Sequence, residues 1–313
     1  MGKYILKRIL LMIPVILGVI LLIFIIMSFT PGDPATLILG ADATMEDILA
    51  LRSKLGLDKP LLVQYFNYIK NIVLHFDFGN SYTNSVPIKD EILYRFGYTL
   101  RVAFFSILIA LAIGIPLGVT AAVHRGTWKD TTALTVSLLG ISVPSFWLGL
   151  MMAILFALKL GWLPASGVGS FKYYILPCLS VSFSGIASLT RQTRSSMLEV
   201  IRSDYMTTAR SKGLTESEVL YKHGLPNALI PIITSSGSKL AHMFGGSTVI
   251  ETVFSIPGVG SYMITAINQR DYPIVQGSVI FLAFIFALCM LLVDIAYAYV
   301  DPRIKARYVR KKS

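Results

Sequence analysis

The chain has 313 residues, of which 54% are hydrophobic and only 14% charged, and its mean hydropathy is +0.67. A soluble domain carries about a quarter charged residues, so this composition excludes a water-soluble globule and indicates a protein whose main solvent is lipid. The formal net charge of +11 would suggest nucleic acid in a soluble protein. Here the basic residues flank apolar runs, so membrane topology accounts for the charge and no nucleic-acid partner is expected.

Six apolar runs are long enough to cross a bilayer as helices, which takes about 20 residues each. The first raises the alternative of a cleaved signal peptide, but it is longer than the apolar core of such a peptide and no small-residue cleavage site follows, so we expect a retained helix. The fourth and fifth runs are the least apolar. We therefore predict an all-α integral membrane fold with six transmembrane helices, at residues 9–29, 102–123, 133–158, 174–190, 228–250 and 275–300.

Lysine and arginine residues near the ends of the spans predict the orientation of the chain. With six spans, both termini lie on one side, and that side collects the basic turn at 123–130, the loop at 191–226 and the tail at 301–313. The opposite side has fewer basic residues, spread over a longer segment and balanced by acids. Both termini are therefore expected in the cytoplasm.

The long segment at 30–98 is expected on the outer side. Its residues 45–55 and 61–74 have helical patterns of leucine beside charged positions. We predict a folded helical cap because these apolar residues need burial, and a disordered loop is the alternative. The predicted regions are then 1–29 for the N-terminus and first span, 30–98 for the cap, 99–300 for the transmembrane core with its loop 191–226, and 301–313 for the basic tail.

The cytoplasmic loop predicts a helical hairpin. Residues 205–212 can form one short helix, with Gly213 suited to its C-terminal cap. Residues 216–223 can form another, which should stop before Leu225 and Pro226. The small residues on the first helix would allow close approach to a groove on a partner, whereas an ordinary amphipathic connector is the alternative.

This loop resembles the "EAA" loop of ABC importer permeases, in which Glu-Ala-Ala, three residues, Gly, nine residues and Ile-x-Leu-Pro recur. Four residues match the pattern, while two threonines stand in place of Glu and the first Ala, and His223 replaces Ile. The resemblance implies that the loop docks on an ATPase subunit and transmits its movement. The residues that it assigns to docking are Thr207, Thr208, Ala209, Arg210, Gly213, Leu214, Leu225 and Pro226.

Further segments, in the same order along nearly the whole chain, resemble the B-type permease subunit of dipeptide, oligopeptide, glutathione and nickel importers. They lie at 30–34, 55–65, 77–87, 162–167, 253–260, 270–273 and 293–303. The resemblance implies a type I importer fold in the inner membrane of a bacterial or archaeal cell. It also implies a homologous second permease, two ABC ATPases that bind ATP and Mg²⁺, a solute-binding protein outside the cell, and a short peptide as cargo. A nickel or metal–chelate permease of the same branch is the alternative.

No sequence of the form G-x-x-x-x-G-K-[ST] occurs, so ATP hydrolysis is expected on separate subunits. No catalytic or metal-binding motif is found either, and this chain is expected to be neither an enzyme nor a cofactor-binding protein. Cys178 and Cys289 fall within apolar runs and indicate neither a disulfide nor a metal site. A stand-alone ion-coupled transporter would carry acids deep in several spans, whereas only Asp294 is identified, and we expect it to pair with a neighbouring helix or cap a backbone group.

Two groups of residues are candidates for contact with a transported solute. Ser235, Lys239, His242 and Gly246 share one face of the fifth span by their spacing, and this face either lines a translocation path or packs against another helix. Lys239 is the most informative residue of this face, because a lysine near mid-span costs about 2.5–3.5 kcal/mol in lipid. It should therefore face a wet cavity or another helix. The second group is the outer turn with Pro257, Gly258 and Gly260, which is either part of an outer gate or a plain re-entrant turn.

Overall fold

The structure is a computed structural model of the chain and describes residues 2–30, 32–40 and 42–300. The side chains of residues 2–4, 230, 246 and 298–300 lie outside this description, as does the predicted tail 301–313. In chain order the elements are α1 (Gly2–Ser28), α2 (Pro34–Leu39), α3 (Met45–Leu55), α4 (Leu61–His75), α5 (Ile88–Val123), α6 (Trp128–Ser142), α7 (Ser145–Met152), a π-helical stretch (Ala153–Lys159), α8 (Lys172–Ile201), α9 (Asp204–Ser211), α10 (Glu216–Glu218), a second π-helical stretch (Val219–Gly224), α11 (Leu225–Val253), α12 (Val259–Gln269) and α13 (Tyr272–Val300).

Four of these helices are each long and apolar enough to cross a membrane, namely α1 over Ile5–Ser28, α5, α8, and α13 over Tyr272–Tyr297. Helices α6 and α7, with the π-helical stretch after α7, form a further apolar pair. Helix α11 has 29 residues and sufficient length, but its serines, glycines and ionisable residues make it less apolar. The all-α membrane fold is confirmed, and the exact number of spans stays a prediction.

The third predicted span is broken rather than continuous. Helix α6 ends at Ser142, α7 begins at Ser145, and the two directions differ by 99°. Val143 between them has extended backbone angles (φ −81°, ψ 122°), which are the angles that the proline ring of Pro144 favours in the residue before it. A proline inside a predicted span indicates a kink, and at Pro144 the bend is large enough to divide the span 133–158 into two helices. By contrast, α1, α5 and α8 run through Pro14, Pro116 and Pro177.

The helix that contains the fourth predicted span is longer than that span. Helix α8 continues past Thr190 to Ile201, so the first residues of the predicted loop 191–226 are helical. The reason is that hydropathy marks where lipid contact ends, whereas a helix continues as long as its residues favour it and one face is packed. Thr193 and Met197 are fully buried in this extension.

The predicted stop before Leu225 was wrong. Helix α10 passes through the π-helical stretch Val219–Gly224 directly into α11. Pro226 lies in the first turn of α11, immediately after the π-helical stretch. The hairpin and α11 are therefore one connected element.

The packing core of the membrane region is the contact between α5 and α8, across which two glycines of α5 allow close approach. A Cβ atom on Gly118 would lie 2.5 Å from the Cβ of Thr193 and 2.6 Å from the carbonyl oxygen of Thr190. A Cβ on Gly114 would lie 2.9 Å from the Cβ of Leu189. Small residues four apart are a common means of close helix contact in membranes, where dispersion forces replace the hydrophobic effect.

The outer segment contains the two predicted helices, since α3 matches residues 45–55 and α4 extends one residue beyond 61–74. The side chain of Thr44 accepts a hydrogen bond from the Asp47 N–H (3.2 Å) and caps α3, while Gly56 ends it at φ +71°. Their apolar residues are buried only in part. Neither helix contains a fully buried residue, but one face of α4, with Tyr65 and Ile69, packs half-buried against the chain.

We predict that Gly118→Ala lowers the stability of the protein by about 1–3 kcal/mol, because the added methyl group overpacks the contact between α5 and α8. Gly97→Ala is the matched control on the same helix, since its Cβ would meet nothing within 4 Å. Thermal unfolding midpoints in detergent compare the two. Equal midpoints would show that the two helices are not held by this contact.

Candidate functional site

The hairpin that the sequence predicts in the cytoplasm is formed by α9, a turn and α10. Gly213 follows α9 with φ +77° and turns the chain, a conformation that glycine adopts without steric cost. Thr215 and Glu218 then form a capping box, in which Thr215 N–H donates to the Glu218 carboxylate (3.0 Å) and Glu218 N–H donates to Thr215 Oγ1 (3.4 Å). Local sequence thus fixes both the end of the first helix and the start of the second.

An ion pair joins the two arms of the hairpin. Arg210 donates from Nε and Nη2 to the two carboxylate oxygens of Glu216, at 3.0 and 2.8 Å. The hydrogen bonds from Arg210 lower the pKa of Glu216. The stabilisation of the hairpin by this pair is therefore fully present above the ordinary pKa of glutamate and is lost as the pH falls through the lowered pKa. Both side chains are partly exposed, so the pair contributes less than about 1 kcal/mol.

The two faces of α9 have different surroundings. Met206 and Ala209 are 0% and 6% exposed and pack in one cluster with Val119 of α5, Met197 of α8 and Ala228 of α11. Ala209 therefore fills a groove on its own chain, whereas the sequence pattern suggested that it would face a groove on a partner. Residues on the exposed face that remain available to a partner include Tyr205, Thr207 and Thr208.

The other predicted docking residues lie at the rim of the same hairpin. Gly213 and Pro226 are exposed, and Arg210, Leu214 and Leu225 are half-buried. The structure thus brings the whole predicted set to one end of the molecule.

A charge pair that the sequence analysis missed holds the turn next to the hairpin. Asp130 at the start of α6 accepts two hydrogen bonds from Arg194 of α8 (2.5 and 2.7 Å) and one from Gly126 N–H (3.0 Å).

Lys239 and His242 share a cavity of about 330 Å³ between α7, α8 and α11. Its other lining residues include Ser145, Ser184 and Gly185. Lys239 is half-buried, and no hydrogen-bond or ion-pair partner for it occurs in the described ranges. The proposed alternative of an internally paired lysine therefore has no support among those residues.

The other two residues of the predicted stripe are not part of this cavity. Ser235 donates to the Ile232 carbonyl oxygen one turn earlier on its own helix (3.0 Å), and the surroundings of Gly246 lie outside the description. Asp294 lies 2.9 Å from Arg8 across the contact between α13 and α1. Its predicted pairing with a neighbouring helix is thus confirmed.

The predicted outer turn is built around a carboxylate that the sequence analysis missed. Glu251, near the end of α11, is 0% exposed and accepts hydrogen bonds from Ser247 Oγ (3.1 Å) and Ser261 N–H (3.0 Å). Any Cβ on Gly258 would collide with this carboxylate. The turn thus wraps around the side chain, which explains glycine there, and Asp294 is not the only acid that the spans bury.

A second buried acid ties the outer segment to the membrane region. Asp271, between α12 and α13, is 0% exposed. It accepts hydrogen bonds from Ser81 Oγ (2.6 Å), Thr83 Oγ1 (2.9 Å) and the N–H of Tyr82 (3.2 Å). These partners are about 190 positions away along the chain, so no local pattern reveals the contact.

Comparison with known families identifies this arrangement. Residues 114–306 match the family described as "Binding-protein-dependent transport system inner membrane component", and residues 1–103 match its N-terminal companion. The chain belongs to this family. It is a permease subunit of an ABC importer.

Relatives of the permease match over nearly their full length. It is 42% identical over 97% of its length to the glutathione transport system permease protein GsiC of Salmonella choleraesuis (strain SC-B67), covering 99% of that protein. It is 43% identical, with the same coverage, to a protein of Brucella abortus (strain 2308) named as a candidate peptide transport system permease.

Solved structures support the fold. A chain of the inward-facing MetNI methionine ABC transporter superposes with a TM-score of 0.55 at 19% identity, over 67% of the permease and 96% of that chain. A chain of an amino acid ABC transporter solved with histidines gives a TM-score of 0.52 at 14% identity, over 68% and 94%. At these identities the likeness concerns the fold alone.

We predict that Gly260→Ala disturbs the outer turn, because its Cβ would lie 2.6 Å from the Cα of Thr248 and 2.5 Å from its Oγ1. Backbone has to move, so we expect a loss of about 1–3 kcal/mol and reduced uptake of the cargo. Gly245→Ala on α11 is the matched control, since its Cβ would meet nothing within 4 Å. Unfolding midpoint and uptake are measured for both, and a Gly260→Ala variant equal to its control would contradict the described turn.

Proposed function

We propose that this permease forms one half of the pathway by which an ATP-driven importer moves short peptides, glutathione among them, into the cell. A homologous second permease would complete the pathway, two ABC ATPases would dock at the hairpin, and a solute-binding protein would deliver the cargo at the outer turn. This chain itself would catalyse no reaction. ATP and Mg²⁺ would be bound by the ATPases.

The observation that carries this proposal is the direct connection from the hairpin to the cavity. The exposed face of α9 lies at one end of an element that runs through α10 and the π-helical stretch into α11. Lys239 and His242 lie farther along that same helix. A partner that moves the hairpin would therefore move two residues that line the cavity.

The basic residues around the hairpin support a cytoplasmic position for it. Arg202 and Lys212 are exposed there, as are Arg125 and Lys129 in the neighbouring turn. With this end inside the cell, Asp271 and the α3 and α4 helices lie outside, where a solute-binding protein would approach. We propose that both termini also lie in the cytoplasm.

A peptide cargo is supported by the chemistry of the cavity together with the names of the relatives. Glutathione and short peptides carry a free carboxylate, and Lys239 presents an ammonium group without a partner among the described residues. Because an unpaired charge in a low-dielectric region is costly, Lys239 would gain from a transient carboxylate partner. His242 would add a hydrogen bond from the same cavity.

Docking is tested by Thr208→Arg, which places a long charged side chain on the exposed face of α9 without altering the buried face. We expect cargo-stimulated ATP hydrolysis by the reconstituted complex to fall about tenfold, a coupling loss of about 1.4 kcal/mol. The assay measures phosphate release from proteoliposomes with saturating binding protein and peptide.

The matched control for docking is Thr131→Arg. Thr131 is an exposed threonine in the first turn of α6, at the same end of the molecule but outside the hairpin. Wild-type ATP hydrolysis is expected for this variant, and both variants should elute as folded protein in size-exclusion chromatography. Unchanged coupling in Thr208→Arg would argue against docking at α9.

The role of the cavity is tested by Lys239→Met, which keeps the length of the side chain and removes its charge. Uptake of a peptide with a free C-terminal carboxylate should fall several-fold, whereas uptake of the same peptide as its C-terminal amide should change little. His242→Ala should reduce uptake of both peptides. Equal uptake of the carboxylate peptide by Lys239→Met and wild type, at equal amounts in the membrane, would remove Lys239 from the pathway.

A further inference from the structure

Helix α4 has one face packed against its own chain and an apolar ridge that nothing in the described ranges covers. Tyr65, Tyr68, Ile69 and Ile72 pack against the cluster that contains Ile20 and Ile23 of α1. Leu62, Phe66 and Val73, which form the ridge, are 70%, 65% and 67% exposed. Because helical residues advance by about 100° each, these three fall within one narrow arc, so the ridge is continuous.

The depth of α4 is fixed by its contact with α1. The hydroxyl group of Tyr65 donates to the carbonyl oxygen of Leu17 (3.2 Å), and the rings of Tyr65 and Phe24 lie 5.5 Å apart. Leu17 is near the middle of the apolar stretch Ile5–Ser28, about 16 Å along the helix axis from Ser28. Helix α4 therefore lies beside the outer half of α1 and not on top of the membrane region.

The surface of α1 near this contact is apolar and exposed. Close in sequence to Leu17 and Phe24, the residues that contact Tyr65, are Leu21, Leu22 and Ile25 of α1, which are exposed apolar side chains. A helix that spans a membrane presents such residues to acyl chains. Both α1 and α4 therefore have exposed apolar side chains near the point where they touch.

A third side of α4 carries the polar residues of the helix. Asn67 and Asn71 are exposed and lie about 100–180° around the helix from the ridge, and the exposed Val63 and Leu74 lie between Asn67 and Lys70. Lys70 lies between them and the ridge, where its long stem can follow apolar surface while the ammonium group reaches phosphate or water. An apolar side and a polar side on one short helix are the features of helices that lie within a membrane interface.

We propose that α4 is an interfacial membrane helix, with Leu62, Phe66 and Val73 inserted among the acyl chains of the leaflet that surrounds the Ser28 end of α1. Asn67 and Asn71 face water. The outer segment is thus not a cap held wholly above the membrane, since α4 anchors it within the bilayer. The uncovered apolar residues of α4 are then buried by lipid and not by protein.

Nitroxide labels test this placement in the full complex reconstituted into phospholipid vesicles. Single cysteines replace Leu62, Phe66 and Val73 one at a time, in a chain carrying Cys178→Ser and Cys289→Ser that retains uptake. Asn67→Cys and Asn71→Cys on the same helix are the matched controls. Collision of each label with oxygen, which concentrates in lipid, and with a water-soluble nickel chelate is measured by electron paramagnetic resonance.

Labels on the ridge should collide frequently with oxygen and rarely with the nickel chelate, giving an oxygen-to-nickel ratio several-fold above that of the two asparagine positions. Frequent collision with nickel on the ridge would place α4 in water and overturn the proposal. Low collision with both reagents would show that a protein partner covers the ridge, and this would overturn it as well. Three independent ridge positions guard against a single variant that fails to fold.

Discussion

Close contact between α5 and α8 is the constraint on which the rest of the permease depends. It exists because Gly114 and Gly118 leave room for Leu189, Thr190 and Thr193 of the facing helix. In a lipid environment no hydrophobic effect drives two apolar helices together, so contact depends on dispersion forces that require close approach. Helix α8 in turn contacts α6, α7 and α11, and its C-terminal extension leads into the hairpin. Loss of the two glycines would therefore displace the elements that carry both the hairpin and the cavity.

Sequence analysis succeeded where the physical signal is local. Apolar runs predicted the long helices, and leucines spaced beside charged positions predicted α3 to the residue. Hydropathy did not predict where α5 begins or where α8 ends, because it reports contact with lipid and not the extent of a helix. Pro144 within the third predicted span indicated a kink, but no local pattern gives the 99° angle between α6 and α7.

The candidate site was predicted in part for the same reason. The spacing of the hairpin motif identified which residues belong together, but it could not tell the inward face of α9 from the outward one. Ala209 lies inward because α5, α8 and α11 form a groove that fits it, and that groove is built from residues distant in sequence. Glu251 and Asp271 were missed because each is recognised only by its hydrogen-bond partners. For Asp271 these partners lie in another region of the chain.

The burial of Met206 and Ala209 has a mechanical consequence. Both side chains belong to one cluster with residues of α5, α8 and α11, so the hairpin has no independent hinge at its inner face. A load applied to its outer face is shared among three membrane helices at once and is not absorbed by a compliant loop. The response to such a load is then limited by the stiffness of the bundle, and small movements at the surface persist into the membrane instead of dissipating near it.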